Sequence, residues 1–512
     1  MRYIPININL WKEEITMSIY AMLYHRFSPR RPETESMQLA QQKIDAIRAM
    51  LPDESTVSRS GISAKTVIVI GAGFAGLSAA VWLKRLGAKK VIVLEARKRV
   101  GGRVRSVNGF TPGRVIEAGA ELLGLNQPLW LDYARGYGLG LSVFTPEDLF
   151  AGAGLEEPIY ISGMLLTPEQ QRFIFDEMSA VIEQITLEAV PIDALEPWNS
   201  PDAQALDNMS LGDRLSAFDI SELTRQVFSV MMENDNAAPI DRQSYLGTLA
   251  AVKGGGLMDY WTESEVFRCE TGNQSLALCM LSELKMHKNS CVMINCPVTD
   301  IEIFNRQVNV CAGGKTFTGD YVVLTAPPSV WPEIRITPCF PAGFNPALGP
   351  AIKYLSNIKS RFWIRAGLAP TGLSDALGMT WEGTDNQMLI PKQGLELTVF
   401  AGGSYAVSAM KASDPRPYFT PRIEQLYPGY RDNALTDCFM DWPRIPWTKT
   451  GYSCPRPGQV TTLGPVLASP YHGRLFFAGE YASPDFFGFM EGALESGMLA
   501  ALRIFDQAGK RN

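Results

Sequence analysis

Four β-branched residues, Val67-Ile68-Val69-Ile70, run straight into Gly71-Ala72-Gly73-Phe74-Ala75-Gly76. Such an apolar run suits a parallel strand buried on both faces. In this pattern Gly71 permits a tight turn, Gly73 lets the backbone approach a pyrophosphate, and Gly76 lets helix and strand pack closely. Phe74 to Leu86 then carries apolar residues at helical spacing, Gly87 stops it, and Val91 to Leu94 reads as a second buried strand. Glu95 follows 19 residues after Gly76, where a carboxylate can accept ribose hydroxyls. The helix N-terminus, Ala75 included, offers free N–H groups to phosphates. Strand, turn, helix, strand and acid in this order imply an α/β fold with a dinucleotide site.

The rest of the composition narrows the function. Lys and Arg (47) against Asp and Glu (53) give a net charge of −6, which argues against a nucleic-acid or anionic-membrane partner. No apolar run is long enough to span a bilayer. The N-terminus is interrupted by Lys12, Glu13 and Glu14 and makes a poor secretory signal. Eight cysteines with no CxxC pair fit reduced thiols and a cytoplasmic location. Three histidines, His25, His287 and His472, speak against a His-centred hydrolase or metal site, so no metal is expected.

Residues 1–64 form an extension in which Met37, Ala40, Ile44, Ile47 and Leu51 describe one amphipathic helix, expected to pack on the domain that follows; residues 53–63 read as a linker. Thr167-Pro168-Glu169-Gln170 is a capping box with Pro at the first helical position, and Phe173, Ile174, Met178, Val181, Ile182 and Ile185 follow as one helical face. Strand-like runs return at Val292–Asn295, Val298–Phe304, Tyr321–Leu324 and Lys353–Leu355, and a strand-turn-helix unit closes the chain from Leu475 to Ile504. The expected division is 65–150, 260–330 and 465–512 for a nucleotide-binding domain, with 151–259 (helical) and 331–464 (sheet) forming a substrate domain.

Leu94 to Ser106, LEARKRVGGRVRS, resembles the second FAD motif of the flavin-containing amine oxidases. The resemblance implies that Glu95, Ala96, Arg97, Gly101, Gly102 and Arg103 lie along the pyrophosphate and ribityl chain. Independently, paired glycines permit close backbone approach and Arg neutralises phosphate. Four further blocks look like the monoamine oxidase and L-amino acid oxidase superfamily: IEAGAELLG (Gly119, Ala120, Glu121 and Leu122 beside the isoalloxazine), Cys296-Pro297-Val298-Thr299 (Val298 beside the adenine), Val323 to Pro328, and Leu475 to Ala501. In the last, Gly479 and Glu480 approach the FAD, and Gly488, Phe489 and Met490 open a helix facing the flavin. The implied architecture is a Rossmann-like, glutathione-reductase-type FAD domain interleaved with an α+β substrate domain.

Pro350-Ala351-Ile352-Lys353-Tyr354 resembles the family segment whose Lys holds a water against the flavin. On a strand Lys353 points away from the face carrying Ile352 and Tyr354. The resemblance places Trp442 just ahead of the flavin, with Tyr452 and Phe489 as the walls of an aromatic cage that steers an amine.

Two departures shape the expectation. Membrane monoamine oxidases carry a flavin-linked Cys immediately before that Tyr, where this chain has Gly451; they also carry a C-terminal membrane helix, whereas this chain stops at Asn512. FAD is therefore expected to be non-covalent and the protein soluble. Venom-type L-amino acid oxidases have a carboxylate-binding Arg where Leu122 stands, although another Arg such as Arg268 remains open as a substitute. The reading is an FAD-dependent oxidase that converts a primary amine to an imine while O2 becomes H2O2, with a preference for neutral-tailed hydrophobic or aromatic amines. The alternatives are an L-amino acid oxidase, a flavin-dependent isomerase or desaturase, and a non-catalytic FAD-binding interaction module. A homodimer is left open.

Overall fold

The structure, a computed structural model, describes residues 41–42, 44–53, 56, 61–143, 153–385 and 394–510. Its first organising element is the parallel sheet that the glycine signature demands. Five strands lie in the order Leu475–Phe477, Tyr321–Leu324, Thr66–Ile70, Lys90–Leu94 and Ser290–Met293. Thr66–Ile70 is central, with Val67 opposite both Val91 and Tyr321. Two strands come from the middle of the chain and one from its end, so the sheet is closed only when distant segments return.

The signature helix Phe74–Arg85 and the C-terminal helix Met490–Gly509 pack together on one face. A Cβ at Gly497 would stand 2.3 Å from the Ala75 carbonyl oxygen, so the two backbones touch there. Leu77, Val81, Leu494, Met498 and Ile504 fill the layer between helices and sheet. In the extension, residues 44–49 are helical, Ile44 is buried, and Ile47 and Leu51 pack on this same core as expected. Met37 and Ala40 lie outside the described residues. The opposite sheet face is covered by a smaller sheet in which Val298–Ile303 pairs with Val308–Ala312 and Arg335–Thr337.

The second large element is a mixed sheet of seven strands, among them Ala434–Asp441, Ala351–Ile358, Leu395–Gly402 and Gly378–Glu382 in that order. Ala351–Ile358 is buried along its whole length between its two antiparallel neighbours. Helices Pro168–Ala189, Glu222–Asn236 and Tyr245–Gly254 pack beside this sheet. Thr167 caps the first of them in a complete capping box with Gln170.

Four expectations shift. Phe173 is 51% exposed and Phe175 takes its place in the core, because the buried stripe runs through Ile174, Met178, Val181, Ile182 and Ile185, one turn phase away. The strand expected at Val292–Asn295 runs instead from Ser290 to Met293, since Asn295 adopts a left-handed conformation (φ 52°) that ends it. The stretch 151–259, read as helical, also lends the strands Ile159–Ile161 and Met164–Leu165 to the seven-stranded sheet. Arg335–Thr337, assigned to the substrate side, pairs with Val298–Ile303 on the other side.

Candidate active site

The two glycine motifs meet through their backbones. Gly101 N–H donates to the Ala72 carbonyl at 2.8 Å, and a Cβ on Gly102 would lie 3.1 Å from Gly73 Cα. Gly71, Gly101 and Gly102 hold φ of +107°, +109° and +62°, a region that side chains disfavour. No side chain caps the first turn of Phe74–Arg85, which leaves its N–H groups for an anion. Glu95 is buried with its carboxylate oriented by the N–H groups of Ala72 (2.7 Å) and Arg97 (2.8 Å), and it retains lone pairs for hydroxyl donors. Around Gly73 the only atom within 4 Å of an added Cβ is Gly102 Cα at 3.8 Å, so the cradle is open where a pyrophosphate would approach. These donors and this close-approach backbone fit a dinucleotide such as FAD.

From this cradle a cavity of about 350 Å3 continues to the seven-stranded sheet. Every residue that the sequence reading assigned to catalysis or cofactor binding lines it except Gly76. A Cβ on Gly76 would sit 2.0 Å from the Gly71 carbonyl oxygen, so this glycine serves helix–strand packing, as its position in the signature implied. Gly71, Gly73, Ala75, Glu95, Ala96 and Arg97 line it together with Gly101, Gly102, Arg103 and Val298. Gly119, Ala120, Glu121, Leu122, Gly479 and Glu480 line it as well, as do Lys353, Trp442, Tyr452, Gly488, Phe489 and Met490. Arg103 is drawn to Glu480 (2.6 Å) and the Gly451 carbonyl (2.8 Å) rather than standing clear for a phosphate. Glu480 also accepts from Gly488 N–H at 2.9 Å, joining the second motif to the turn before the C-terminal helix.

Lys353 lies on the strand Ala351–Ile358 with Ile352 and Tyr354 packed into the opposite cluster. Its Nζ is 2.6 Å from Glu121 Oε2 and donates to the Glu117 carbonyl at 3.1 Å. Arg268 donates to Glu121 Oε1 at 2.9 Å and to the carbonyls of Glu382 and Asp385. Burial opposes ionisation of Glu121, but the two cations outweigh it and hold its carboxyl below the usual range. Arg268 is thereby committed and does not line the cavity, which removes it as a substitute clamp for a substrate carboxylate.

The aromatic residues converge. Trp442 donates its indole N–H to the Ala118 carbonyl at 2.9 Å. Tyr452 Oη donates to the carbonyls of Asn234 and Asp235 (3.0 and 2.9 Å), and its ring edge is 3.1 Å from where a Gly488 Cβ would be, against the turn that carries Phe489. Gly451 has no room for a side chain: a Cβ would lie 2.6 Å from Ala351 Cβ. Cys454 is buried away from the cavity, its thiol pushed up to about 12 by burial and Glu480.

Sequence reasoning missed Trp381, Asp235 and Glu265, all of which line the cavity. Lys353 Nζ lies 5.1 Å from the Trp381 ring centroid. Asp235 sits in the last turn of Glu222–Asn236, where a carboxylate opposes the helix dipole; that mismatch is a legible sign of a non-structural role. Glu265 follows the short helix Met258–Thr262 in irregular backbone and carries no such sign.

Fold and site together define a flavin-dependent oxidoreductase of the amine-oxidising type. The flavin-containing amine oxidoreductase family model matches residues 74–505, and the chain belongs to that family. It is 26% identical over 474 residues to the flavin-containing amine oxidase A of Sus scrofa, covering 87% of this chain and 85% of that protein. It is 24% identical over 494 residues to the putative L-amino-acid oxidase YobN of Bacillus subtilis, covering 89% and 98%. Among solved structures, cyclohexylamine oxidase from Brevibacterium oxydans superposes with a TM-score of 0.74 at 23% identity, over 86% of this chain and 99% of that one. Putrescine oxidase superposes with a TM-score of 0.73 at 21% identity, over 86% and 99%. Among the described residues no helix is long and apolar enough to cross a membrane.

Proposed function

We propose that this chain binds FAD non-covalently and oxidises a primary amine, with O2 as acceptor: R–CH2–NH2 + O2 + H2O gives R–CHO, NH3 and H2O2. The bound flavin supplies the hydride acceptor. The residues of the chain do the rest. The glycine cradle and Glu95 hold the dinucleotide. Tyr452 and Phe489 present aromatic faces to the amine, and Lys353, anchored by Glu121, holds a water by hydrogen bonding at the wall beneath them. The observation that carries the amine reading, as opposed to the amino-acid reading, is the commitment of every cation lining the cavity: Lys353 to Glu121, Arg103 to Glu480, and Arg97 to the Pro446 carbonyl and Thr448. A substrate carboxylate would enter without a partner, which disfavours it by several kcal/mol.

The division into a cofactor half (65–150, 260–330, 465–512) and a substrate half (151–259, 331–464) belongs to this proposal; its boundary near 150 lies outside the described residues. A cytoplasmic location is supported by eight unpaired thiols. The test is peroxide formation with tyramine against L-tyrosine and tryptamine against L-tryptophan. The amines are expected to lead in kcat/KM by at least about tenfold, roughly 1.4 kcal/mol of barrier. Amino acids ahead by the same margin overturn the amine reading, and flavin that no amine or amino acid reduces overturns the oxidase reading.

A further inference from the structure

A lysine ammonium carries three N–H donors, and Lys353 spends two of them on Glu121 Oε2 and the Glu117 carbonyl. The third is left for the cavity that Lys353 lines, and its direction is set by the other two. The Glu117 carbonyl is fixed by backbone, at the end of a strand paired with Ser106–Asn108. The Glu121 carboxylate ends a rotatable side chain, so it can direct an ammonium only if something holds it. Arg268, 4% exposed, does so by donating from Nε to Oε1 at 2.9 Å. The guanidinium is itself immobilised, because its terminal nitrogens donate to the carbonyls of Asp385 (3.1 Å) and Glu382 (2.8 Å), at the end of strand Gly378–Glu382. The segments meet without help from these side chains: Leu123 and Phe267 exchange backbone hydrogen bonds of 3.0 and 2.8 Å. Asn273 adds bonds from its side-chain amide to the Ala120 and Glu121 carbonyls. A buried ion triad contributes little to stability beyond what apolar packing of the same volume would, so stability alone is a poor account of three charges at this wall.

Resting on the amine-oxidase reading above, we propose that Arg268 is a positioning residue for the reaction: by holding Glu121 Oε1 it fixes Oε2, and through Oε2 the Lys353 N–H that faces the cavity. Arg268 does not line the cavity and acts only through the other two side chains. The two cations keep Glu121 ionised despite its burial, so this carboxylate works as a fixed anchor and not as a proton acceptor. Without Arg268 the carboxylate turns about its side-chain torsions and the ammonium turns with it. The aromatic walls Tyr452 and Phe489 make no bond to Arg268 and keep their places. A misplacement of about 1 Å at a reacting centre can cost up to about a hundredfold in rate. The signature is therefore a loss of rate at unchanged amine affinity.

The test begins with Arg268→Met in the holoenzyme, which removes every donor and leaves Glu121 paired with Lys353. By stopped flow, flavin reduction by tyramine, or reoxidation by O2 after dithionite reduction, should slow by about ten- to a hundredfold, with half-saturating tyramine within about threefold of wild type. Arg268→Lys keeps one donor for Glu121 and gives up both carbonyl bonds. Its rates should return to within about threefold of wild type while its urea midpoint stays as low as that of Arg268→Met. In a Lys353→Met background, Arg268→Met should change either rate by less than about twofold, because its effect passes through the ammonium. Where that double variant fails to fold, the comparison of Arg268→Lys with Arg268→Met decides. A further readout uses flavin-free protein carrying isotope-labelled lysine. The Nζ–H resonance that vanishes in Lys353→Met should be protected from exchange with water, and should lose that protection in Arg268→Met but not in Arg268→Lys. Wild-type rates in Arg268→Met, an equal loss in the Lys353→Met background, or unchanged protection overturns the proposal. Rates in Arg268→Lys as low as in Arg268→Met make the residue a tie between segments and overturn it too. Wild-type flavin that tyramine does not reduce counts against the amine-oxidase reading alone, since reoxidation and proton exchange still decide for or against Arg268.

Discussion

Lys353 Nζ and Glu121 Oε2 stand 2.6 Å apart, and each of the two side chains is more than nine-tenths buried. The same carboxylate takes Arg268 on its other oxygen, so one anion fixes two cations under the cavity wall. A buried charge is tolerated only with such partners, and removing one of them strands the others.

Lys353→Met should therefore keep its flavin and most of its stability, because Glu121 remains paired with Arg268. Turnover or reoxidation should slow by at least about tenfold, roughly 1.4 kcal/mol of barrier, as the charge and its water are lost. Stopped-flow traces of the two half-reactions identify the affected step, and unchanged rates in both remove Lys353 from the mechanism. Glu121→Gln leaves two buried cations without their anion and should lose on the order of 3–5 kcal/mol of stability in urea melts. A melt within 1 kcal/mol of wild type, taking measurement error at about that size, contradicts the shared-anion account.

Two signature glycines should respond differently to one methyl group. Gly76→Ala puts Cβ 2.0 Å from the Gly71 carbonyl oxygen and should prevent folding or cost several kcal/mol. Gly73→Ala meets nothing closer than 3.8 Å, at a φ of −75° that alanine accepts. It should fold with a wild-type circular dichroism spectrum yet lose FAD, because its methyl group fills the space of the pyrophosphate. A yellow Gly73→Ala protein with normal flavin content would refute the cradle assignment.

Flavin should leave the protein on acid precipitation. Gly451 has no room for a linking side chain, and the Cys454 thiol is buried and held protonated. Yellow colour in the supernatant is the expected result, and colour that stays with the pellet disproves non-covalent binding.

Stability should fall as pH rises from about 4 to about 8, and Glu396 should be one cause. Burial pushes its carboxyl up to about 8, with Thr398 Oγ1 donating to it at 2.8 Å. Unfolded, it titrates near 4.3, so below about 4 both states are protonated and folding carries no penalty from it. Between those values the unfolded chain releases its proton first, and stability drops with each pH increment until the folded group ionises. Glu117 and Glu265, both pushed up to about 7, slope the same way, so the informative quantity is a difference. Glu396→Gln should lose less stability between pH 6 and 8.5 than wild type, by roughly 1–3 kcal/mol. Parallel pH profiles for the two proteins contradict the assignment.

The cofactor end was legible in sequence because its chemistry is local. A buried strand, three glycines at fixed spacing and an acid at the end of the next strand are short-range features, and Gly71, Gly73, Gly76 and Glu95 all stand where that pattern puts them. The Lys353 segment and the Tyr452 and Phe489 positions came from resemblance to a family, and the backbone carries them to one cavity from strands and turns that share no local pattern. Partnership was decided by tertiary structure alone. Arg268 looked available in sequence and is held by Glu121, whereas Asp235 and Glu265, which the sequence reading passed over, line the cavity. Charge in a chain is a property of each residue, but whether a charge is neutralised, buried or offered to a ligand depends on which distant segment folds against it.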